Sequence, residues 1–249
     1  MEQALILIGA GLLAGAMNAL AGGGSFVTLP ALIAVGVPSV AANASSAMAL
    51  YPGGLASAWV YRGDLGPVCE VPLKRLAVVT LAGGLLGAMI LLWTPTSVFD
   101  QALPWLLLTA TLALAFGRRL GEAMRRRRRL RPPAILAVQF LLGLYGGYFG
   151  GAVGLMMMAF WSLAAGGELK TLQAPRTILV SVANTAAVVW FARAGAVHWQ
   201  AIALLAPAGL VGGYLGAQLG RRLKATHVQV ATLAFSAGVT ALFFLRAYR

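Results

Sequence analysis

Neutral hydroxyls and carboxamides set among glycines are the residues of this chain with a chemistry to offer. Asn18, Gly22, Gly23, Gly24 and Ser25 interrupt one apolar stretch, and Asn43, Ser45 and Ser46 lie inside the next. Further along, Gly150 and Gly151 interrupt a third stretch, while Arg176, Thr177 and Asn184 lie at the start and in the middle of a fourth. A helix that begins after a glycine break presents bare backbone N–H groups and the positive end of its dipole, and both attract an anion. Neutral donors add hydrogen bonds without a permanent charge that would hold the anion too tightly to release. Taken singly, each of these polar residues reads more often as a helix-packing hydrogen bond than as a substrate contact. Arg176, just after Pro175, reads either as an interface anchor or as a ligand whose guanidinium grips an oxyanion with two N–H groups.

Other chemistries lack their residues. The six carboxylates, Glu2, Asp64, Glu70, Asp100, Glu122 and Glu168, fall in expected loops or near helix ends, which disfavours a proton relay or an intramembrane acid pair. His198 and His227 stand at segment boundaries, so no metal centre or cofactor is expected. The lone Cys69 permits no intrachain disulfide and reads as a loop thiol. Tryptophans and tyrosines, Trp161 among them, read as belt residues near the ends of crossings, with Tyr145 and Tyr148 beside the second break as exceptions.

Elements of one kind must position these groups. Of 249 residues, 60% are hydrophobic and 10% charged, against about a quarter charged in an ordinary soluble chain. With a mean hydropathy of +0.84, this is the composition of an all-α polytopic membrane protein. Of a net charge of +13, Arg125, Arg126, Arg127, Arg128 and Arg129 form one block with Arg131, most other basic residues sit between apolar stretches, and no groove-reading module accompanies them. The charge therefore points away from nucleic acid and toward topology, with contact to anionic lipid headgroups as a second use.

Residues 4–36 as one straight helix would reach about 50 Å, against a hydrocarbon core of about 30 Å. A hairpin of two short arms bent at Gly22–Gly24 and closed by the Gly36-Val37-Pro38 turn is expected instead. Helices are expected at about 40–61, 73–93 and 99–117, followed by a basic linker at 118–133. The pattern then returns, with a second glycine-broken segment at 134–165 and helices at about 172–192, 200–220 and 228–246. Gly83-Gly84-Leu85-Leu86-Gly87-Ala88 matches Gly212-Gly213-Tyr214-Leu215-Gly216-Ala217 at an offset of 129. Equivalent loops carry opposite charge bias: 94–98 has no Lys or Arg, whereas 221–227 holds Arg221, Arg222 and Lys224. The expected layout is therefore two inverted repeats, 1–117 and 134–249, each a glycine-broken hairpin plus three crossings, with the linker cytoplasmic and both termini outside.

AGAMNALAGGGSFVTLPAL, then AANASSAMAL, then GLYGGYFGGAVGLMM and VSVANTAAVVWFARAGAVHW resemble the TauE/SafE sulfite exporter family over nearly the whole chain. The resemblance implies a bacterial inner-membrane carrier of sulfite, a sulfonate, sulfoacetate or a related small organic anion, and not an enzyme. It implicates Gly22, Gly23, Gly24, Pro30, Ser45, Ser46 and Asn184. The second break, Gly150-Gly151-Ala152, departs from the fuller glycine run of members. The expected mechanism is alternating access with the breaks meeting near the midplane. An anion channel and, further off, a membrane enzyme or assembly factor remain the other readings, and the coupling ion and oligomeric state stay open.

Overall fold

Backbone in hydrocarbon must satisfy its own polar groups, and the described residues do so as ten α-helices. The computed structural model describes residues 1–21, 23–63, 66–124, 131–165, 172–220 and 225–248. In order these are α1 (Glu2–Ala21), α2 (Ser25–Ala34), α3 (Ser39–Val60), α4 (Leu73–Trp93), α5 (Thr96–Met124), α6 (Pro132–Tyr148), α7 (Val153–Ala165), α8 (Gln173–Arg193), α9 (Trp199–Gly220) and α10 (Ala225–Tyr248). Six of them, α1, α4, α5, α8, α9 and α10, contain stretches long and apolar enough to cross a membrane.

The arms of the broken segments are unequal where two short arms were expected. α1 has 20 residues and α2 has 10, while α6 has 17 and α7 has 13. At 1.5 Å per residue α1 alone matches a hydrocarbon core of about 30 Å, because nothing before Gly22 interrupts its apolar run. α5 also runs on to Met124, into the range expected of the basic linker. The five arginines Arg125–Arg129 lie outside the described residues.

The chain divides into two compact units that do not follow the order of the sequence. One comprises Met1–Gly53, Leu92–Thr111 and Phe191–Arg249; the other comprises Gly54–Leu91 and Leu112–Trp190. Each therefore draws on both sides of the basic linker. The boundaries cut α3 between Gly53 and Gly54, beside Pro52, α4 between Leu91 and Leu92, α5 between Thr111 and Leu112, and α8 between Trp190 and Phe191.

In the first unit α1 packs along α9 and also meets α2 and α10. Glycines set how close the pair comes. A Cβ on Gly15 would stand 2.7 Å from Gly213 N, and one on Gly212 would stand 2.7 Å from the Leu12 Cα. The two backbones touch, as small residues allow in lipid. The large apolar side chains of Leu13, Val211 and Leu215 are exposed. Thr111 of α5 and Thr240 of α10 share a buried hydrogen bond of 3.0 Å.

The second unit repeats the device with α4 and α6. A Cβ on Gly83 would stand 2.9 Å from Leu144 N, and one on Gly143 would stand 2.7 Å from Thr80 O. Beside this seam Leu76, Ile135, Val153, Met157, Trp161 and Leu179 form a buried apolar cluster. Into it a short turn inserts Val68 and Val71, which bond to each other across Cys69 and Glu70. Cys69 and Glu70 both adopt positive φ, 54° and 65°, as a two-residue turn of this twist demands. Trp161 is buried in this cluster, where a belt position was expected. Its indole N–H donates to Gln139 Oε1 at 3.1 Å, and Gln139 Nε2 donates to Thr80 Oγ1 at 2.8 Å. A hydrogen-bond partner inside the unit removes the reason for the indole to seek the interface.

Candidate functional site

The first break lies in the first unit. Gly22 is outside the described residues; Gly23 and Gly24 are buried. Gly24 precedes α2 with helical dihedrals, φ −58° and ψ −34°, and no side chain caps the helix. The first turn closes on itself, with the N–H groups of Phe26 and Val27 donating to the carbonyls of Gly23 and Gly24. Close packing requires Gly24, whereas a Cβ on Gly23 would make only ordinary contact. A Cβ on Gly24 would stand 2.9 Å from Ala14 O and 3.1 Å from Asn18 Cβ, and one on Gly23 would meet Thr232 of α10 at 3.4 Å. Asn18 thus sits against the break, half-buried, one turn before the end of α1.

The hydroxyls of α3 take part in this packing. Thr28 Oγ1 donates to Gly24 O at 3.3 Å and is hydrogen-bonded to Ser46 Oγ. Ser45 Oγ accepts the backbone N–H of His198 at 2.8 Å, and His198 Nδ1 in turn accepts the Ala201 N–H at 3.3 Å, capping α9. Asn43 is buried, and Ser25 is half-buried as the first residue of α2. Asn18, Gly23, Gly24, Ser25, Asn43, Ser45 and Ser46 therefore belong to one unit, and Ser45 and Ser46 already hold hydrogen bonds that fix the helices.

The second break lies in the second unit and is built differently. α6 ends with the N–H groups of Phe149 and Gly150 both donating to Tyr145 O, and Gly150 takes φ +78°. That left-handed residue is the ordinary end of a helix. Ala152 follows at φ +56°, where a side chain is disfavoured, and α7 starts at Val153. Gly151 is held by Phe149, whose ring fills the place of a Cβ.

Arg176, early in α8, lays its side chain across the first turn of α7. A Cβ on Gly154 would stand 2.9 Å from Arg176 Nε, and Arg176 Nη1 donates to Met158 Sδ at 3.5 Å. Gly154 and Met158, one helical turn apart, thus form the bed of a guanidinium that stands at the positive end of α7. Further along α8, Ser181 Oγ lies within hydrogen-bond reach of Gly54 O at 3.2 Å and of Thr177 O at 2.9 Å. Thr177 and Asn184 are half-buried on the same helix.

Gly154 and Gln139 escaped the sequence reading. Gly154 sits in a run of glycines, Gly143 to Gly154, whose members serve three different purposes. Gln139 is a single amide in an apolar helix, with no neighbour in sequence to mark its partners Thr80 and Trp161. Outside the spans, burial first and then the Glu70 carboxylate push the Cys69 thiol up to about 11. Its Sγ faces Trp161 O at 3.8 Å. Among the described residues no three of His, Cys, Asp or Glu gather as a metal site.

Residues 7–243 match the model of the family described as sulfite exporter TauE/SafE. The chain is 30% identical over 218 residues to "Probable membrane transporter protein YfcA" of Escherichia coli strain K12, covering 88% of this chain and 79% of that one. It is also 30% identical over 216 residues to "Probable membrane transporter protein ORF9" of Sinorhizobium sp., covering 86% and 80%. A Haemophilus influenzae "Probable membrane transporter protein" is 28% identical over 221 residues, covering 89% and 85%. No solved structure matches. With its apolar helices, its glycine seams and a match over nearly its full length, this chain is a multi-pass membrane transporter and belongs to the sulfite exporter TauE/SafE family.

Proposed function

We propose that the transporter carries a small oxyanion, sulfite or an organosulfonate first, across the bacterial inner membrane by alternating access. The observation that carries this reading is the Arg176 guanidinium laid over Gly154 at the first turn of α7. A guanidinium beside the first backbone N–H groups of a helix offers two kinds of donor to one oxyanion. Backbone N–H groups after Gly150 and Gly151 would complete its shell, with Thr177 and Asn184 as neutral donors. At the first break the uncapped start of α2 at Gly23, Gly24 and Ser25 offers the same chemistry without a cation, helped by Asn18 and Asn43. This fits a transported ligand, which must be held and then released.

The two halves 1–117 and 134–249 act in this reading as inverted repeats, with the basic linker cytoplasmic and both termini periplasmic. For a monoanion an inside-negative potential favours outward flux by about 2.3 kcal/mol per 100 mV, which suffices for export without a coupled ion. A thermal-shift screen of the purified protein tests the substrate class, because a specific ligand stabilises by mass action. Sulfite or a sulfonate is expected to raise the unfolding midpoint of the wild type but not of Arg176→Gln. Stabilisation by carboxylates or cations instead would overturn the assignment.

A further inference from the structure

The first unit carries a second charged place, far in sequence from either break. Between the start of α5 and the end of α10 lies a cavity of about 270 Å³ lined by Ser97, Asp100, Gln101, Phe243, Arg246 and Ala247. One carboxylate and one guanidinium thus share a small space. Arg246 stands in the last turn of α10, where the negative end of the helix dipole supports its charge. Both side chains are exposed, whereas Phe243 is buried and forms an apolar floor.

The surroundings fix the depth of this cavity. On the same two helices, Trp105 Nε1 donates to Tyr248 Oη at 2.9 Å, and Tyr248 Oη donates to Gln101 O at 3.3 Å. Trp105 meets Phe244 edge-on with centroids 5.1 Å apart, and Phe244 stacks on Tyr248. Trp105 and Tyr248 remain exposed, an aromatic pair with apolar bodies and polar tips of the kind that sits at headgroup level. The cavity is one helical turn from that pair, at the ends of two helices apolar enough to cross a membrane, where such aromatics mark the headgroup level.

We propose that this cavity binds the headgroup of a zwitterionic phospholipid bearing a primary amine, with the ammonium on Asp100 and the phosphate on Arg246. A guanidinium matches a phosphate with parallel N–H groups. A primary ammonium has three N–H donors, which Asp100 and the polar atoms of Ser97 and Gln101 accept. A choline headgroup has none and is recognised by aromatic cages, whereas the one aromatic in this lining, Phe243, is the buried floor. The site is independent of the transported anion.

Native mass spectrometry of the full chain with equal amounts of phosphatidylethanolamine, phosphatidylcholine and phosphatidylglycerol tests the proposal. The wild type is expected to retain phosphatidylethanolamine over phosphatidylcholine by about tenfold, the scale of a lost charged hydrogen bond. Asp100→Asn should erase that preference while leaving phosphatidylglycerol retention unchanged, and Arg246→Gln should weaken all three. Equal retention of the amine and choline lipids by the wild type would overturn the proposal, as would an unchanged preference in Asp100→Asn. Displacement by soluble phosphoethanolamine as effective as by the intact lipid would also overturn it, since the occupant would then be a free zwitterion. The wild-type comparison stands by itself should either variant fail to fold.

Discussion

The two glycine breaks look alike in sequence and differ in what their glycines are for. At the first, Gly24 admits neighbouring backbone and side chains, and the polar groups around it are neutral. At the second, Gly150 turns the chain with a positive φ, and Gly154 clears room for an arginine. The same residue type thus serves packing in one place and charge placement in the other. The lesson is that a glycine run in a membrane helix marks a site only when something polar occupies the space the missing side chain leaves.

Substitutions separate these purposes, and the largest effects belong to the seams. Gly15→Val and Gly147→Val place a side chain against a facing backbone, at Gly209 and Gly84 respectively, and neither helix can yield without moving its whole seam. Loss of about 3 kcal/mol or more is expected, read as failure to give monodisperse protein in detergent. Gly9→Ala, with open space around it, should be neutral or slightly stabilising.

Next in size is the contrast between breaks. Arg176→Gln removes the only charged ligand of the reading and should weaken anion affinity by tenfold or more, as loss of a charge-assisted bond does. Gly154→Ala crowds the Arg176 Nε at 2.9 Å and should lower affinity while the protein still folds. Asn18→Ala should have a smaller effect on affinity, since neutral donors contribute about 1 kcal/mol each. A larger loss in Asn18→Ala than in Arg176→Gln would reverse the ranking of the two breaks. Titration of anion binding by calorimetry measures all three.

Ser45→Ala is a packing change in this account. It removes the acceptor of the His198 N–H and should cost about 1 kcal/mol of stability, with anion affinity little altered. The smallest effect is at Cys69. A thiol raised from 9.0 to about 11 carries about 100-fold less thiolate at neutral pH. Maleimide labelling of the folded protein should therefore be slow at pH 7 and accelerate as pH rises toward 11, where the thiolate forms. Labelling at the rate of a free thiol at pH 7 would show the turn to be open.

Much of the fold was legible because its causes are local. Apolar length marked α4 at 73–93 and placed α8 and α9 within a residue or two. The glycine pairs of α4 and α9 showed as a repeat before their partners were known. Their partners were not legible. That α9 packs on α1 and α4 on α6 depends on contacts between distant segments, which no spacing within one helix encodes. The same limit hid Gln139 and the burial of Trp161, since each needs the other to be satisfied. At the candidate site, residue types were readable but duties were not, as Ser45 shows by serving the cap of α9.

The central claim is that an anion is bound, carried and released at a site that depends on Arg176. Counterflow of labelled sulfite in proteoliposomes tests it most directly. Saturable uptake accelerated by unlabelled sulfite on the opposite side is expected of the wild type, and its loss in Arg176→Gln. Flux that never saturates and ignores the opposite side, or that is unchanged in Arg176→Gln, would contradict it.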